Sequence, residues 1–303
     1  MGIFARREVK EAKKILTKEL REPLLKDDYE TVYRKVLEGL NLLKELYNTD
    51  RKYLLENKHK SAGLLLTYVI LASELAFNLG KYDDVINHID FNERFREEWC
   101  SAFKCNKEKY RNLIMNASSY YKEIFYKVAA CILSKRFEEG FEMFKLWLTH
   151  PRIAVGADLC MSLKYQKGPW GQLKRRKIDY CHALICMLHL LRFLTIAGMA
   201  GLLTDKDLEK LREGFKNFGK EIYEVYNEVI TKHGEKLKEK YIELNIPLKE
   251  YENDISHVRM FYEEYNDDAR RSIKAYLVEE VRDFKWAYKE RASRDAFIYQ
   301  NHI

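Results

Sequence analysis

The chain has 303 residues, with 54 Lys and Arg against 47 Asp and Glu, which gives a formal net charge of +7. Hydrophobic residues make up 47% and charged residues 33%, so the composition excludes a disordered or fibrous protein and allows a sizeable core. Only 13 Gly and 4 Pro are present, too few for the frequent turns of an all-β chain.

Apolar residues recur at helical spacing along nearly the whole chain. The stretch 61–79 is apolar on every face, which predicts a buried central helix that ends at Gly80. Thr204, with Asp207 three positions later, predicts an N-cap with a variant capping box. The predicted helices are 5–21, 28–47, 61–79, 82–103, 107–134, 136–148, 177–203, 205–232, 234–244 and 248–299.

These elements predict an all-α protein, either a multi-helix bundle or an irregular array of helical hairpins. The pair His150-Pro151 interrupts the helical pattern. We therefore predict an N-terminal helical lobe at 1–150 and a C-terminal helical lobe at 151–303, with one continuous domain as the alternative.

Three short segments share the pattern aromatic, acidic, acidic or polar, small, apolar, and they begin at Tyr29, Tyr82 and Phe137. The middle copy, AFNLGKYDDVINHI, resembles the inter-helix turn of a tetratricopeptide repeat. That resemblance implies stacked helical hairpins and a protein–protein interaction module. The spacings of 53 and 55 residues differ from the family's period of about 34, so an ordinary αα-hairpin stays open.

The excess positive charge is concentrated in one part of the chain. Residues 143–204 contain nine bases and only two acids, a surplus equal to the net charge of the whole chain. Six of these bases lie within residues 159–178, which contain no acid and which we call the basic segment.

Bases with interleaved aromatic residues suit an anionic polymer, because the bases neutralise phosphates and the aromatic rings stack on unpaired bases. We therefore predict a non-enzymatic helical scaffold that binds a nucleic acid, RNA or single-stranded DNA. Alternatively, the segment docks an acidic protein partner, or it is a solvated loop offset by nearby acidic helices. The predicted nucleic-acid-binding residues are Lys164, Tyr165, Lys167, Trp170, Lys174, Arg175, Arg176 and Lys177.

Arg176 and His182 fit a loose Arg-x(4–6)-His pattern that resembles the motif of HEPN ribonucleases. That resemblance implies a helical bundle, with Arg176 binding phosphate and His182 acting on the 2′-hydroxyl or the leaving group. A histidine suits proton transfer near neutral pH. The family usually has Asn, His or Asp directly after the Arg, whereas Lys177 follows here. A metal-independent ribonuclease is therefore a further alternative.

Signals for a metal are weak. Acid-x-x-His occurs at Glu56/His59, Asp179/His182 and Asp254/His257, the spacing that places two ligands on one helix face, but chance explains most of these pairs. We predict no metal and no cofactor. Glu74 lies in the apolar helix 61–79, so we expect it to be buried against Arg192, a histidine or a metal.

The sequence also predicts the cellular compartment of the protein. The N-terminus has no apolar h-region, and none of the six Cys forms a Cys-x-x-Cys pair, so we expect reduced thiols in a cytoplasmic protein.

Residues 180–203 are long enough to span a bilayer, but Arg192 near mid-span would cost roughly 3 kcal/mol, so we predict a core helix and no membrane partner. A homo-oligomer stays open.

Overall fold

The structure is a computed structural model that describes residues 5–20, 22–23, 26–56, 58, 61–102, 118–148, 174–217 and 219–264. These residues form eleven α-helices and contain no strand, which confirms the predicted all-α fold. The helices are α1 (Arg7–Lys14), α2 (Tyr29–Thr49), α3 (Arg51–Leu55), α4 (Ser61–Asn78), α5 (Tyr82–Ala102), α6 (Ser118–Leu133), α7 (Phe137–Leu148), α8 (Lys174–Met199), α9 (Asp205–Asn217), α10 (Lys220–Glu243) and α11 (Leu248–Arg259). Short π-helical turns, Ile15–Glu19 and Met260–Glu264, extend α1 and α11.

The helices form two compact units. Among the described residues, the first unit extends to Tyr126 and the second begins at Lys127, inside α6. The predicted lobe boundary at 150/151 stays a prediction, since residues 149–173 lie outside the described residues.

The first unit is built around α4, which packs against α1, α2, α3 and α5. Tyr68 of α4 crosses Gly39 of α2 so closely that a Cβ on that glycine would overlap the ring. The Tyr68 hydroxyl donates to the Ala12 carbonyl at 2.6 Å, which joins α4 to α1. By length and composition α4 also meets the criterion for a bilayer span, with a mean hydropathy of 1.4, but 94% of that window is buried within the protein.

The second unit has an equivalent central helix. From Cys186 to Ala197 every residue of α8 is buried, and α8 packs against α7, α10 and α11. Gly198 lies against the ring of Phe137, where a Cβ would overlap the ring carbons. Cys131 and Cys186 are buried in this unit.

The three segments that share a sequence pattern also share a backbone turn. A residue with positive φ, which is Asp27, Gly80 or Lys135, stands two positions before the aromatic residue. In each turn the next amide donates to a carbonyl five residues earlier, at 2.8–3.0 Å, which satisfies an acceptor left open at a helix end. The aromatic residue then begins the following helix, and Tyr82 packs edge-on against Phe77 of the preceding one.

The same turn occurs twice more, although the sequence pattern is missing there. Gly201 and Asn245 have positive φ, and the amides that follow them donate across the turn at 2.9 Å. Four consecutive helix pairs are therefore linked by one type of turn: α4–α5, α6–α7, α8–α9 and α10–α11.

Several predicted boundaries are confirmed and others are wrong. Thr204 and Asp207 form the predicted reciprocal cap, with the Thr204 amide donating to Oδ2 of Asp207 at 2.8 Å. The prediction of one helix over 205–232 is wrong, because α9 ends at Asn217 and α10 begins at Lys220, with Gly219 as its N-cap. The predicted gap before 234 is only a kink at His233, with φ −135°. The short helix α3 was not predicted.

We expect Gly198→Ala to destabilise the second unit, because the new methyl group overpacks against Phe137; such changes cost ~1–3 kcal/mol. Gly234→Ala in α10 is the matched control, since its nearest neighbour would be the Tyr251 hydroxyl at 3.7 Å. That substitution should be neutral or stabilising by up to ~1 kcal/mol through helix propensity. Urea unfolding followed by circular dichroism measures both; equal midpoints for the two variants would contradict this packing.

Candidate functional site

The basic segment falls mostly outside the described residues. Lys164, Tyr165, Lys167 and Trp170 all lie there. Residues 174–177 are described as the first turn of α8, with side chains described only from Cys186 onwards. The structure thus adds one fact about the predicted nucleic-acid-binding residues: four of them begin a helix.

The residues predicted from the ribonuclease resemblance also lie on α8. Arg176 and His182 both fall within its helical backbone, where six residues advance the chain by ~9 Å along the axis. Their side chains are outside the described part of the chain, so the ribonuclease stays a prediction. The same holds for the pairs Glu56/His59 and Asp179/His182, each of which includes an undescribed side chain.

The third acid-x-x-His pair belongs to a buried polar cluster in the second unit. Its centre is Asp254 of α11, which is fully buried. The Arg192 Nε donates to Oδ2 of Asp254 at 2.8 Å, and Nη2 donates to Oδ1 at 2.6 Å. The Tyr241 hydroxyl donates to Oδ2 at 2.6 Å, and Nδ1 of His189 lies 2.5 Å from Oδ1. We call these four residues, with Glu250, the Asp254 cluster.

The surrounding carboxylates favour a charged Arg192. Burial alone would lower the pKa of Arg192, but attraction to Asp254 and hydrogen bonds to Asp254 and Glu250 raise it above its ordinary value. Burial, followed by the Asp254 charge, raises the pKa of Tyr241 well above its usual range, so Tyr241 stays a neutral donor. Glu250, which is partly exposed, accepts from Nη2 of Arg192 at 2.7 Å and adds a second carboxylate.

Two histidines stack next to Asp254. The rings of His189 and His257 stack with centroids 3.9 Å apart and planes 16° apart. Nδ1 of His257 lies 2.7 Å from the Asn253 carbonyl, which requires the proton on that nitrogen. Burial, and then repulsion from His189, lowers the pKa of His257, which keeps its ring neutral near pH 7.

This arrangement does not resemble a metal centre. Ring nitrogens direct their lone pairs in the ring plane, and two nearly parallel planes do not converge on one ion. Within the described part of the chain, no group of three or more His, Cys, Asp or Glu side chains is arranged to hold a metal. The geometry instead links α8 to α11 by an ion pair and α10 to α11 by a hydrogen bond.

The predicted environment of Glu74 is partly confirmed. Glu74 is buried, with 1% of its surface exposed. Its suggested partner, Arg192, a histidine or a metal, stays a prediction, while Arg192 itself is engaged by Asp254 and Glu250. Each of the two apolar stretches, 61–79 and 180–203, contains one acid or base, Glu74 and Arg192, which suggested that the two pair. The carboxylates that hold Arg192 lie in the charged helix α11.

The first unit contains a buried ion pair that the sequence did not reveal. Arg96 of α5 and Glu123 of α6 are each at most 2% exposed, and Nη2 of Arg96 lies 2.5 Å from Oε1 of Glu123. The Asn92 amide donates to the same oxygen at 2.9 Å. Both charged residues stand among other charged residues in the sequence, so no pattern marks them as core positions.

Comparison with known proteins adds no assignment: no family model, curated protein or solved structure matches the chain.

We expect Asp254→Asn to destabilise the second unit by ~3–5 kcal/mol, because it leaves the buried Arg192 without its main counter-charge. Glu252→Gln is the control, since it removes one negative charge from an exposed position on the same helix and should change stability by less than ~0.5 kcal/mol. Urea unfolding at neutral pH measures the difference. If both variants unfold at the wild-type midpoint, the Asp254 cluster does not stabilise the fold.

Proposed function

We propose that this protein is a helical scaffold that binds a nucleic acid, RNA or single-stranded DNA, through the basic segment 159–178. The observation that carries the proposal is the charge of this segment, six bases and no acid, ending in four consecutive bases at the start of α8. Phosphate groups are the ligands that such a run of cations attracts most strongly.

The position of the four bases at a helix start strengthens this argument. The N-terminal end of a helix carries partial positive charge, so acids are stabilising there and bases are destabilising. Acids stand in the first turn of α2, α5, α7, α9, α10 and α11, as general electrostatics favours. The first turn of α8 has no acid, as in α3, α4 and α6, but unlike them it holds four consecutive bases, which add to the positive end. A bound phosphate would convert this repulsion into attraction.

The opposite end of α8 supports the same function through rigidity. Residues 186–197 are buried, and Arg192 is held by Asp254 and Glu250. A binding helix that is fixed by burial over its C-terminal half loses little conformational entropy when its first turn engages a ligand. The four bases are therefore attached to a helix that is buried from Cys186 to Ala197.

Replacing Lys174, Arg175, Arg176 and Lys177 with Gln should weaken binding of a labelled, mixed-sequence single-stranded RNA. The slope of log K against log salt should become shallower by ~0.7 for each phosphate that the protein no longer neutralises. Fluorescence anisotropy across a salt series measures both quantities. The control replaces four exposed lysines of the same unit, Lys206, Lys216, Lys236 and Lys249, with Gln, which removes the same charge elsewhere.

Two outcomes would contradict the proposal: unchanged affinity and slope in the first variant, or an equal loss of affinity in both variants, which would indicate nonspecific attraction. A gel of the same samples reports whether the RNA stays intact. RNA shortening that disappears in His182→Ala, in a protein that remains folded, would favour the ribonuclease instead.

A second candidate function is a protein-interaction module, with an acidic protein as the partner of the basic segment. Two observations favour it. Helical hairpins linked by one type of turn recur along the chain, as in proteins that present stacked helices to a partner. In addition, Ile242 and Leu248 flank the α10–α11 turn and are 57% and 44% exposed, the two exposed large hydrophobic residues in the described part of the chain.

If this second candidate is correct, the protein should recover a defined partner from a nuclease-treated lysate. Ile242→Gln with Leu248→Gln should reduce that recovery, because it removes exposed apolar surface. Glu243→Gln with Lys249→Gln, at neighbouring exposed positions and without a change in net charge, should leave recovery unchanged. Disappearance of the partner on nuclease treatment would rule out a direct protein contact.

A further inference from the structure

The stacked rings of His189 and His257 form a direct contact between α8 and α11. Their centroids lie 3.9 Å apart and their planes 16° apart, so the two imidazoles touch face to face. Neutral aromatic rings pack favourably at this distance, whereas two imidazolium cations repel each other. The protonation state of the pair therefore affects how tightly the two helices are held together.

The hydrogen bonds of the two rings determine where a further proton can bind. The Asp254 carboxylate can only accept, so Nδ1 of His189, which lies 2.5 Å from Oδ1, carries a proton and donates it. Nδ1 of His257 donates to the Asn253 carbonyl at 2.7 Å. Each ring therefore has only Nε2 left as a basic atom, and a proton bound there converts the ring into a cation.

The charges beside the stack can balance one added proton but not two. Arg192 of α8 supplies one positive charge, and Asp254 and Glu250 of α11 supply two negative charges. One protonated ring neutralises this group, whereas two protonated rings leave a buried excess of positive charge. That excess is unfavourable, because Nη2 of Arg192 already lies 3.4 Å from Nδ1 of His189.

The other elements next to α11 do not change this balance. From α10, Tyr241 contributes a neutral hydroxyl that donates to Asp254. In the π-helical turn after α11, Glu263 accepts from the Tyr223 hydroxyl. Burial, and then repulsion from His189, lowers the pKa of His257, in agreement with the arrangement of charges.

We propose that the His189–His257 stack is an acid-sensitive switch: when both rings carry a proton, α11 separates from α8. The direction follows from proton linkage. A histidine in an open segment has a pKa of about 6.5, and the packed site holds the pKa of His257 below that value. The open form therefore binds the proton more tightly. The stabilising contribution of the contact is complete above pH ~6.5 and is lost progressively as the pH falls below it.

The switch is independent of the proposed function, because it requires only the packing of α8 against α11 and no nucleic acid. Its test is hydrogen–deuterium exchange of the full chain between pH ~7.5 and ~5, read by mass spectrometry as protection factors that correct for the intrinsic exchange rate at each pH. Protection of α11 should fall below pH ~6.5, by up to about tenfold per pH unit for each proton taken up on opening. Protection of α9, which packs against α10 in the same unit, should not fall with it.

Two variants of His257 remove the second proton in different ways. His257→Phe keeps an aromatic ring against His189 but cannot be protonated. His257→Asn keeps an N–H donor for the Asn253 carbonyl and serves if the phenylalanine variant does not fold. In both, the single remaining ring takes up one proton that the carboxylates balance, so protection of α11 should stay constant below pH ~6.5. The matched control is His233→Asn, at the kink of α10, which should behave like the wild type.

Three outcomes would overturn the proposal. The first is wild-type protection of α11 that does not change below pH ~6.5. The second is an acid-dependent loss that persists in the His257 variants, which would assign the effect to other groups. The third is an equal loss in α9 and α11, which would indicate opening of the whole unit. A loss confined to the wild type and His233→Asn, and to α11 and its contact with α8, supports the switch.

Discussion

Each unit of this protein depends on one helix that has no polar face. The side chains of α4 from Ser61 to Phe77, and those of α8 from Cys186 to Ala197, are buried all round, so neighbouring helices have to cover them on every side. In the first unit α1, α2, α3 and α5 cover α4, and in the second α7, α10 and α11 cover α8. Because the energy of burial is not directional, the polar groups inside these helices have to specify which neighbour lies where.

Much of this plan could be predicted from the sequence, because it depends on local patterns. The apolar run 61–79, Gly80 and the Thr204 cap are signals contained within a few residues, and the structure agrees with all three. The break at Gly219 was missed because apolar periodicity continues across it. Positive φ at Lys135 and Asn245 was missed too, since the turn overrides the side-chain preference of a lysine.

The candidate sites were harder to predict, because their contacts join distant parts of the chain. Arg192 and Asp254 are 62 residues apart, and nothing in a single sequence states that they meet. Arg96 and Glu123 each stand among other charged residues in the sequence, and only folding brings them together. By contrast, the basic segment was visible at once, because its charge is contiguous. Sequence reasoning therefore identified the candidate segment that is local in the chain and missed the clusters that folding assembles.

The Asp254 cluster also fixes the register of the helices around α8. Two apolar helix faces can slide past each other by one turn, ~5.4 Å, at little cost in buried area. If α11 moved by one turn in one direction, Val258 would face Arg192 and leave a buried charge without a partner. If α11 moved by one turn in the other direction, Glu250 would take the position of Asp254 and face Arg192. Ile246, in the turn before Pro247, would then take the position that Glu250 now holds, and it has no carboxylate. The two carboxylates, Asp254 and Glu250, thus favour one alignment of α8 and α11, and Tyr241 joins α10 to the same point.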